Sequence, residues 1–366
     1  MDRKLIWAVK ASSITPTKKN LEELANRDDL FDESLIDVKS KAYKFQERSF
    51  ARTAEKGYSI VTFIDKEYPE KLRNITFPPP VLYVRGNVAI LNGIVYAGIV
   101  GSRKCDTYGK QMANNIAREI GATGAGIVSG GAEGVDAAAH DGALRVNAPT
   151  IAVFGSGINV DYPKCNEELF RRIEEKGGAI ITEFPYGTPP RSKNFPVRNR
   201  IIAALSEVIV LARAGNRSGG LITVNQALDM NKTVFAVPGN IDSPLSIGAN
   251  ALIRDGAIPL ISPMDVIDEL IEHNPDYFVR EREEIPYVKT VPVMEKSIKT
   301  TAKMQLTEYE EEIVNIINEG YNTQATMENK VSFEATRLTA LLGMMEIKGI
   351  LKKKSDKSYI VIGGKC

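Results

Sequence analysis

The feature that most constrains this chain is a rhythm in its middle. Between residues 95 and 262, short apolar runs recur at 95–100, 126–129, 150–154, 179–182, 208–212, 234–237 and 258–261. Most of the intervals hold segments of helical period, such as 110–120 and 221–230. Strands alternating with helices predict βαβ units and an α/β fold with a mostly parallel sheet, covered on both faces. In such folds ligands sit outside the carboxyl ends of the strands, so the loops at that edge are where function is expected.

The flanks do not share this rhythm, and a chain of 366 residues has room for two or three domains. Residues 1–56 contain no glycine and carry apolar residues at helical spacing, such as Leu21 and Leu24, then Leu35, Ile36 and Val38, which reads as a small helical domain. Phe77-Pro78-Pro79-Pro80 is a stiff connector that continues neither a helix nor a central strand, and Val81-Leu82-Tyr83-Val84 after it reads as an edge strand. The charged stretch Val279-Arg280-Glu281-Arg282-Glu283-Glu284, with Pro286 and Pro292 beyond it, reads as a solvated linker. Then Thr307-Glu308-Tyr309-Glu310 has the form of a capping box that opens a helix through Ile317. A second helix is expected over 334–346, with Leu338, Leu341, Leu342 and Met345 at core spacing. Lys348-Gly349-Ile350-Leu351 and Tyr359-Ile360-Val361-Ile362 follow as a two-stranded wing. Helices followed by a hairpin predict a winged helix-turn-helix module. The expected division is a helical domain at 1–65, the α/β domain at 66–272, a linker at 273–304 and the winged module at 305–366.

Charge narrows the function classes. Lys plus Arg total 47 against 46 Asp plus Glu, so an anion site must be a local arrangement, not a global field. Three cysteines, Cys105, Cys165 and Cys366, form no C-x-x-C pair, and two histidines are too few for a His-based metal site. No metal or cofactor is expected. The opening Met1-Asp2-Arg3-Lys4-Leu5-Ile6-Trp7 leads into no signal-peptide core, and no apolar run approaches the roughly 18–20 residues that span a bilayer. The expectation is a reduced, cytoplasmic, soluble protein without a membrane partner.

Several loops at the sheet edge carry chemistry. Gly101-Ser102-Arg103 follows the first run, where glycine lets the backbone turn sharply, a following helix presents N–H groups to an anion, and Arg103 can clamp a phosphate. A plain strand-to-helix turn would look the same. Seven residues separate Gly101 from Gly109, and Gln111 follows Lys110, so this is no nucleotide-hydrolysing P-loop. Ser129-Gly130-Gly131-Ala132-Glu133-Gly134 leads into a helix with Asp136 and His140 on one face, and a structural hydrogen bond is favoured there over a metal or general-base pair. Gly155-Ser156-Gly157 has Val160 where the dinucleotide fingerprint needs a third glycine.

Residues 185–200 combine Arg191, Lys193, Arg198 and Arg200 with Tyr186 and Phe195 and contain no acid. A groove that tracks a nucleic-acid backbone and stacks unpaired bases needs this mixture, and a solvated surface loop shares it. Ser218-Gly219-Gly220-Leu221-Ile222-Thr223 supplies another glycine-rich helix start, with Arg213 and Arg217 just upstream. Lys348, Lys352, Lys353, Lys354 and Lys357 cluster at the expected wing, where phosphate contact, a solvated hairpin and a protein contact remain open.

Taken in order and spacing, these motifs resemble the DNA-processing protein A (DprA/Smf) family from about Pro79 to Pro263. The carriers are Gly101-Ser102-Arg103, Ser129-Gly130-Gly131-Ala132 with Asp136 and His140, Tyr162-Pro163, and Phe195 through Ile202. Ser218 through Thr223 and Phe235-Ala236-Val237-Pro238-Gly239 complete them. The resemblance implies an extended Rossmann-like domain that binds single-stranded DNA and forms a homodimer. It implies loading of the RecA recombinase onto that strand, in competition with single-strand binding protein, during natural transformation. It also implies a SAM-like N-terminal helical domain, a C-terminal winged helix and no catalysis. By this resemblance the DNA contacts are Gly101, Ser102, Arg103, Ser129, Gly130, Gly131, Lys193, Phe195, Arg198, Asn199, Arg200, Ser218, Gly219 and Gly220. Where the family usually has an acidic residue before the Ser-Gly turn, this chain has Arg213-Ala214.

The same layout resembles the nucleoside-monophosphate phosphoribohydrolase group, whose catalytic glutamate follows a glycine turn. Here that turn continues Leu221-Ile222-Thr223-Val224-Asn225-Gln226 with no carboxylate, which counts against hydrolysis. A nucleotide sensor is the third reading.

Overall fold

The computed structural model describes residues 2–278 and 307–361, apart from 329, 334, 348–349 and 354–357. The chain forms two compact units, Met1–Tyr287 and Val288–Cys366. The expected linker lies largely, and Lys348, Lys354 and Lys357 lie wholly, outside the described residues.

The first unit opens with helices α1 (Arg3–Ala11), α2 (Lys18–Ala25) and α3 (Lys41–Glu55). Thr17 and Ser40 cap the second and third by accepting backbone N–H bonds from Asn20 and Tyr43. Leu21 and Leu24 are buried as their spacing predicts, but Leu35 and Val38 are 56% and 44% exposed. Leu35 ends a short 3-10 turn, Glu33–Leu35, where the Asp32 side chain accepts from the Ser34 N–H and stops the helical pattern, and Val38 lies just beyond it. Trp7 is fully buried, stacks on Phe63 at 6.0 Å and donates its indole N–H to the Pro80 carbonyl.

Next come β1 (Ser59–Thr62), α4 (Glu70–Arg73) and β2 (Val81–Gly86). Then follow β3 (Tyr96–Gly101), α5 (Thr107–Gly121), β4 (Gly126–Ser129), α6 (Val135–Arg145), β5 (Thr150–Val153), α7 (Glu167–Glu175) and β6 (Ala179–Thr182). The unit continues with α8 (Asn194–Leu205), β7 (Val208–Arg213), α9 (Gly220–Asp229), β8 (Thr233–Ala236), α10 (Ile247–Arg254), β9 (Ile258–Pro259) and α11 (Pro263–His273). The sheet has nine strands in the order β1-β2-β6-β5-β4-β3-β7-β8-β9. Strands β3 to β9 run parallel, while β2 is antiparallel to both β1 and β6.

Two strand expectations change. Val81–Gly86 is not an edge: Ser59–Thr62 pairs outside it, because the three prolines end before the strand and leave its donors intact. The last apolar run contributes only Ile258–Pro259 as a strand, although the Leu260 N–H still donates to the Ala236 carbonyl at 2.9 Å, and Ile261 is 80% exposed.

Alternation within the parallel strands covers both faces. In β3, Ala97 and Ile99 join the core beneath α5, α6 and α11, while Tyr96 and Val100 join the core shared with α8 and α9. In β7, Val208, Val210 and Ala212 point one way and Ile209 and Leu211 the other. The chain therefore winds outward from β3 through β6, returns beside β3 as β7, and winds outward again. This is a doubly wound, Rossmann-like sheet with its topological switch point between β3 and β7.

The second unit holds α12 (Glu308–Asn318), α13 (Gln324–Met327) and α14 (Ala335–Ile347), then β10 (Leu351–Lys353) and β11 (Tyr359–Val361) in an antiparallel pair. Thr307 and Glu310 form the expected capping box. Ile313, Met327, Leu338, Leu342, Met345 and Leu351 make the core of this unit, and Leu341 packs against it only partly buried.

Candidate functional site

A cleft of about 580 Å³ opens at the switch point, outside the carboxyl ends of β3 and β7. Its floor is backbone. The Ser102 N–H donates to the Arg213 carbonyl at 2.8 Å, which closes the two strand ends together. A Cβ on Gly220 would lie 2.9 Å from the Gly101 Cα, so α9 starts in direct contact with the end of β3. Gly134 has φ +83°, and a Cβ there would stand 2.5 Å from the Ser102 carbonyl, so glycine is required where the next loop passes behind the arginine loop.

One wall is α8. Its first residue, Asn194, donates to the Gly155 carbonyl at 3.0 Å, and the Gln226 amide of α9 donates to the Pro196 carbonyl at 3.0 Å. These bonds set Phe195 at the cleft. A Cβ on Gly155 would approach Phe195 Cδ1 to 2.8 Å, so the turn after β5 makes room for the ring. The Arg103 guanidinium stands 4.6 Å from the Phe195 centroid, and the exposed Tyr162 ring lies 5.7 Å from it at 38°. A side recess of about 200 Å³ continues past Phe195 toward Gly130, Glu133, Gly155 and Tyr162.

The opposite wall is the start of α9, with Ser218, Gly219 and Gly220 on the cleft. Exposed Arg103, Lys104 and Arg217 line it as well, and among the described residues none of the three makes an ion pair. Among the described residues other exposed cations, such as Lys41, Lys44 and Arg48, also make no ion pair, so what marks these three is their convergence on one cleft. Unpaired cations, a helix N-terminus and a half-buried ring together form a site for a polyanion with flat groups.

Beneath this rim the polar residues serve the fold. Arg198 is 4% exposed, donates from Nη1 to the carbonyls of Gly130 and Val153, and donates from Nε to Asn199 Oδ1 at 3.0 Å. Burial lowers its pKa to about 10, opposed by the nearby Asp136 carboxylate. Burial in turn raises the Asp136 pKa, against the pull of Arg198 and the Ala132 N–H. Thr150 donates its hydroxyl hydrogen to the Ile127 carbonyl, so its oxygen accepts from His140 Nδ1–H at 2.8 Å. His140 is then the neutral Nδ1–H tautomer with a bare Nε2, and burial lowers its pKa to about 3. Asp136 and His140 thus hold different partners and form no acid-base pair. Among the described residues no cluster of His, Cys, Asp and Glu suits a metal ion.

The expected site residues separate accordingly. Gly101, Ser102, Arg103, Phe195, Arg198, Asn199, Ser218, Gly219 and Gly220 line the cleft, and Gly130 lines the recess. Ser129 does not reach either: its buried hydroxyl donates to the Ile99 carbonyl at 2.6 Å. Gly131 lies under the surface, its carbonyl accepting from Asn166. Lys193 is exposed at the start of α8 but does not line the cleft. Arg200 points to another side of α8, where both terminal nitrogens bond Glu183 and Nε donates to the Phe77 carbonyl. Arg213 is likewise turned inward, to Asp106, Ser243 and Ser246. The cleft adds Lys104, Arg217 and Tyr162. The first two adjoin motif residues, whereas nothing in the local sequence places Tyr162 against Phe195.

This geometry is that of a Rossmann-like protein with a cation-lined cleft at its switch point. Residues 59–271 match the family model described as DNA recombination-mediator protein A, and the chain belongs to that family. It is 37% identical over 230 residues to DNA processing protein DprA of Bacillus subtilis (strain 168), covering 63% of this chain and 77% of that protein. It is 37% identical over 224 residues to Protein Smf of Escherichia coli (strain K12), covering 61% of this chain and 60% of that one. Among solved structures, DNA processing protein A from Streptococcus pneumoniae aligns with TM-score 0.60 and 31% identity over 74% of this chain and 98% of that one. DNA processing protein A from Helicobacter pylori, whose structure concerns its single-stranded DNA binding mode, aligns with TM-score 0.52 and 30% identity over 59% of this chain and 96% of its own. No helix among the described residues is long and apolar enough to cross a membrane.

Proposed function

We propose that this protein binds single-stranded DNA in the switch-point cleft and acts, without catalysis of its own, as a recombination mediator. The observation that carries the reading is the Arg103 guanidinium over the Phe195 ring, bordered by Lys104 and Arg217, which make no ion pair among the described residues. An aromatic face serves any base, at about 1–3 kcal/mol per stacked base, and the cations and the α9 N-terminus serve phosphates. Duplex bases are already stacked, so a crevice built this way favours the single strand. Gly101, Ser102, Arg103, Phe195, Ser218, Gly219 and Gly220 form the contact surface in this reading, with Lys193 at its approach and Arg198 and Asn199 shaping it from behind.

In the wider reading the protein protects incoming DNA and loads RecA onto it during natural transformation, in competition with single-strand binding protein. It works in the cytoplasm as a homodimer. Residues 1–65 serve as a SAM-like helical domain whose strand β1 joins the sheet, 66–272 as the DNA-binding domain and 305–366 as a winged helix joined through 273–304. The helix order of the second unit and its antiparallel pair of strands support the winged assignment.

Fluorescence anisotropy of a labelled thymine oligonucleotide, against a duplex of equal length across a salt series, tests the reading. Tight, salt-sensitive binding selective for the single strand is expected. Absence of binding at low salt would overturn it and direct attention to mononucleotide binding and turnover.

A further inference from the structure

The side recess beside Phe195 contains a residue that a phosphate site alone does not explain. Its lining sets the rings of Phe195 and Tyr162 and the cations Arg103 and Lys104 around a single carboxylate, Glu133. Among the described residues Glu133 pairs with neither cation; its side chain instead meets the Cys165 thiol. Helix α6 already carries Asp136 in its first turn, so the positive end of that helix has its acid without Glu133.

A carboxylate can only accept hydrogen bonds. Internal phosphodiesters and deoxyribose offer it no donor, so in a strand of DNA only base N–H groups can meet it. The recess, at about 200 Å³, has room for one base; the Phe195 and Tyr162 rings, 5.7 Å apart, both border it and stand too close to sandwich the base. The four bases differ sharply there. Guanine presents an imino and an amino N–H side by side, matching the two oxygens of a carboxylate. Cytosine and adenine present one amino group. Thymine presents a single imino N–H between two carbonyl oxygens, which repel the carboxylate.

We propose that the recess takes one unstacked base and that Glu133 makes guanine the preferred one. This rests on the single-strand reading above and adds a base preference to it. Thymine-only strands bind through stacking and phosphates, and a guanine adds the paired contact with Glu133.

The test uses the full chain and short labelled oligonucleotides, all thymine or with one central guanine, cytosine or adenine. Wild-type protein is expected to bind the guanine strand about tenfold more tightly than the thymine strand, the lower end for a bidentate base contact. Glu133→Gln should narrow that ratio to about twofold or less and tighten thymine binding, because a like charge no longer faces the phosphates. Glu133→Ala should narrow it too. Equal binding of all four strands by wild type, or a guanine preference that survives both substitutions, overturns the inference and leaves the single-strand reading standing. Failure to bind any strand removes both.

Discussion

Two arginines flank the same phenylalanine and do opposite work. The Arg103 guanidinium is 4.6 Å from the Phe195 ring and that of Arg198 is 5.8 Å away. Arg103 is exposed and without an ion pair among the described residues, while Arg198 is buried, bonded to two carbonyls and set beside Asp136. A guanidinium that has lost its water must be satisfied by the protein, which fixes Arg198 through its Nε and Nη1 donors. One that keeps its water can exchange it for a phosphate. Burial, not residue type, divides the ligand's arginine from the fold's.

The largest expected effect tests the buried member. Arg198→Ala leaves the buried Gly130 and Val153 carbonyls without their donor and Asp136 without the nearby Arg198 cation, and urea denaturation should show a loss of about 2–4 kcal/mol. Unchanged stability would break the comparison. The pH response probes the same interior. The folded-state pKa of His140, about 3, lies below its ordinary 6.5, so between those values the unfolded chain binds a proton that the native state excludes. Stability is then retained above pH 6.5 and lost on acidification, by about 2 kcal/mol at pH 5. Asp136 has the opposite sign: its raised pKa adds stability at low pH that fades as pH rises. His140→Asn keeps a donor for Thr150 without titrating, so denaturation midpoints between pH 4 and 6.5 should lose the His140 component.

The exposed rim gives smaller effects, read in binding and not in folding. Phe195→Ala should weaken oligonucleotide binding by about 1–3 kcal/mol while the circular dichroism spectrum is preserved. An unchanged affinity would remove the ring from the site. Arg103→Ala should leave stability within about 0.5 kcal/mol of wild type. It should also lower the slope of log affinity against log salt by about 0.7, one phosphate contact on a single strand. A slope that stays the same would place Arg103 with Arg198 as a structural residue.

The sheet was legible because uninterrupted apolar runs between helical segments have one compact solution, and the glycine turns marked the correct edge of it. Facing was harder. Residues 195, 196, 198, 199 and 202 of α8 line the cleft, and Arg200, four residues after Pro196, is not excluded by helical period. It is drawn away by Glu183, a partner 17 residues distant, which a basic segment rich in proline does not reveal. Burial of Arg198 and Arg213 was not legible, since their partners Gly130 and Asp106 lie 68 and 107 residues away. Tyr162 is hidden for the same reason, coming from a loop after β5 to meet a ring on α8.

The contact of Gly220 with Gly101 has a consequence for variation at the cleft. A methyl group at 220 would press on backbone only 2.9 Å away and act as a wedge between the start of α9 and the end of β3. Those two elements are where the halves of the sheet fan apart, so the wedge would press the loop bearing Arg103 away from the start of α9, where Ser218 and Gly219 line the cleft. Affinity would fall with every charged and aromatic group still in the sequence. The reach of the grip is thus governed by its smallest residues, and a screen that scored only arginines and rings would count such a variant as intact.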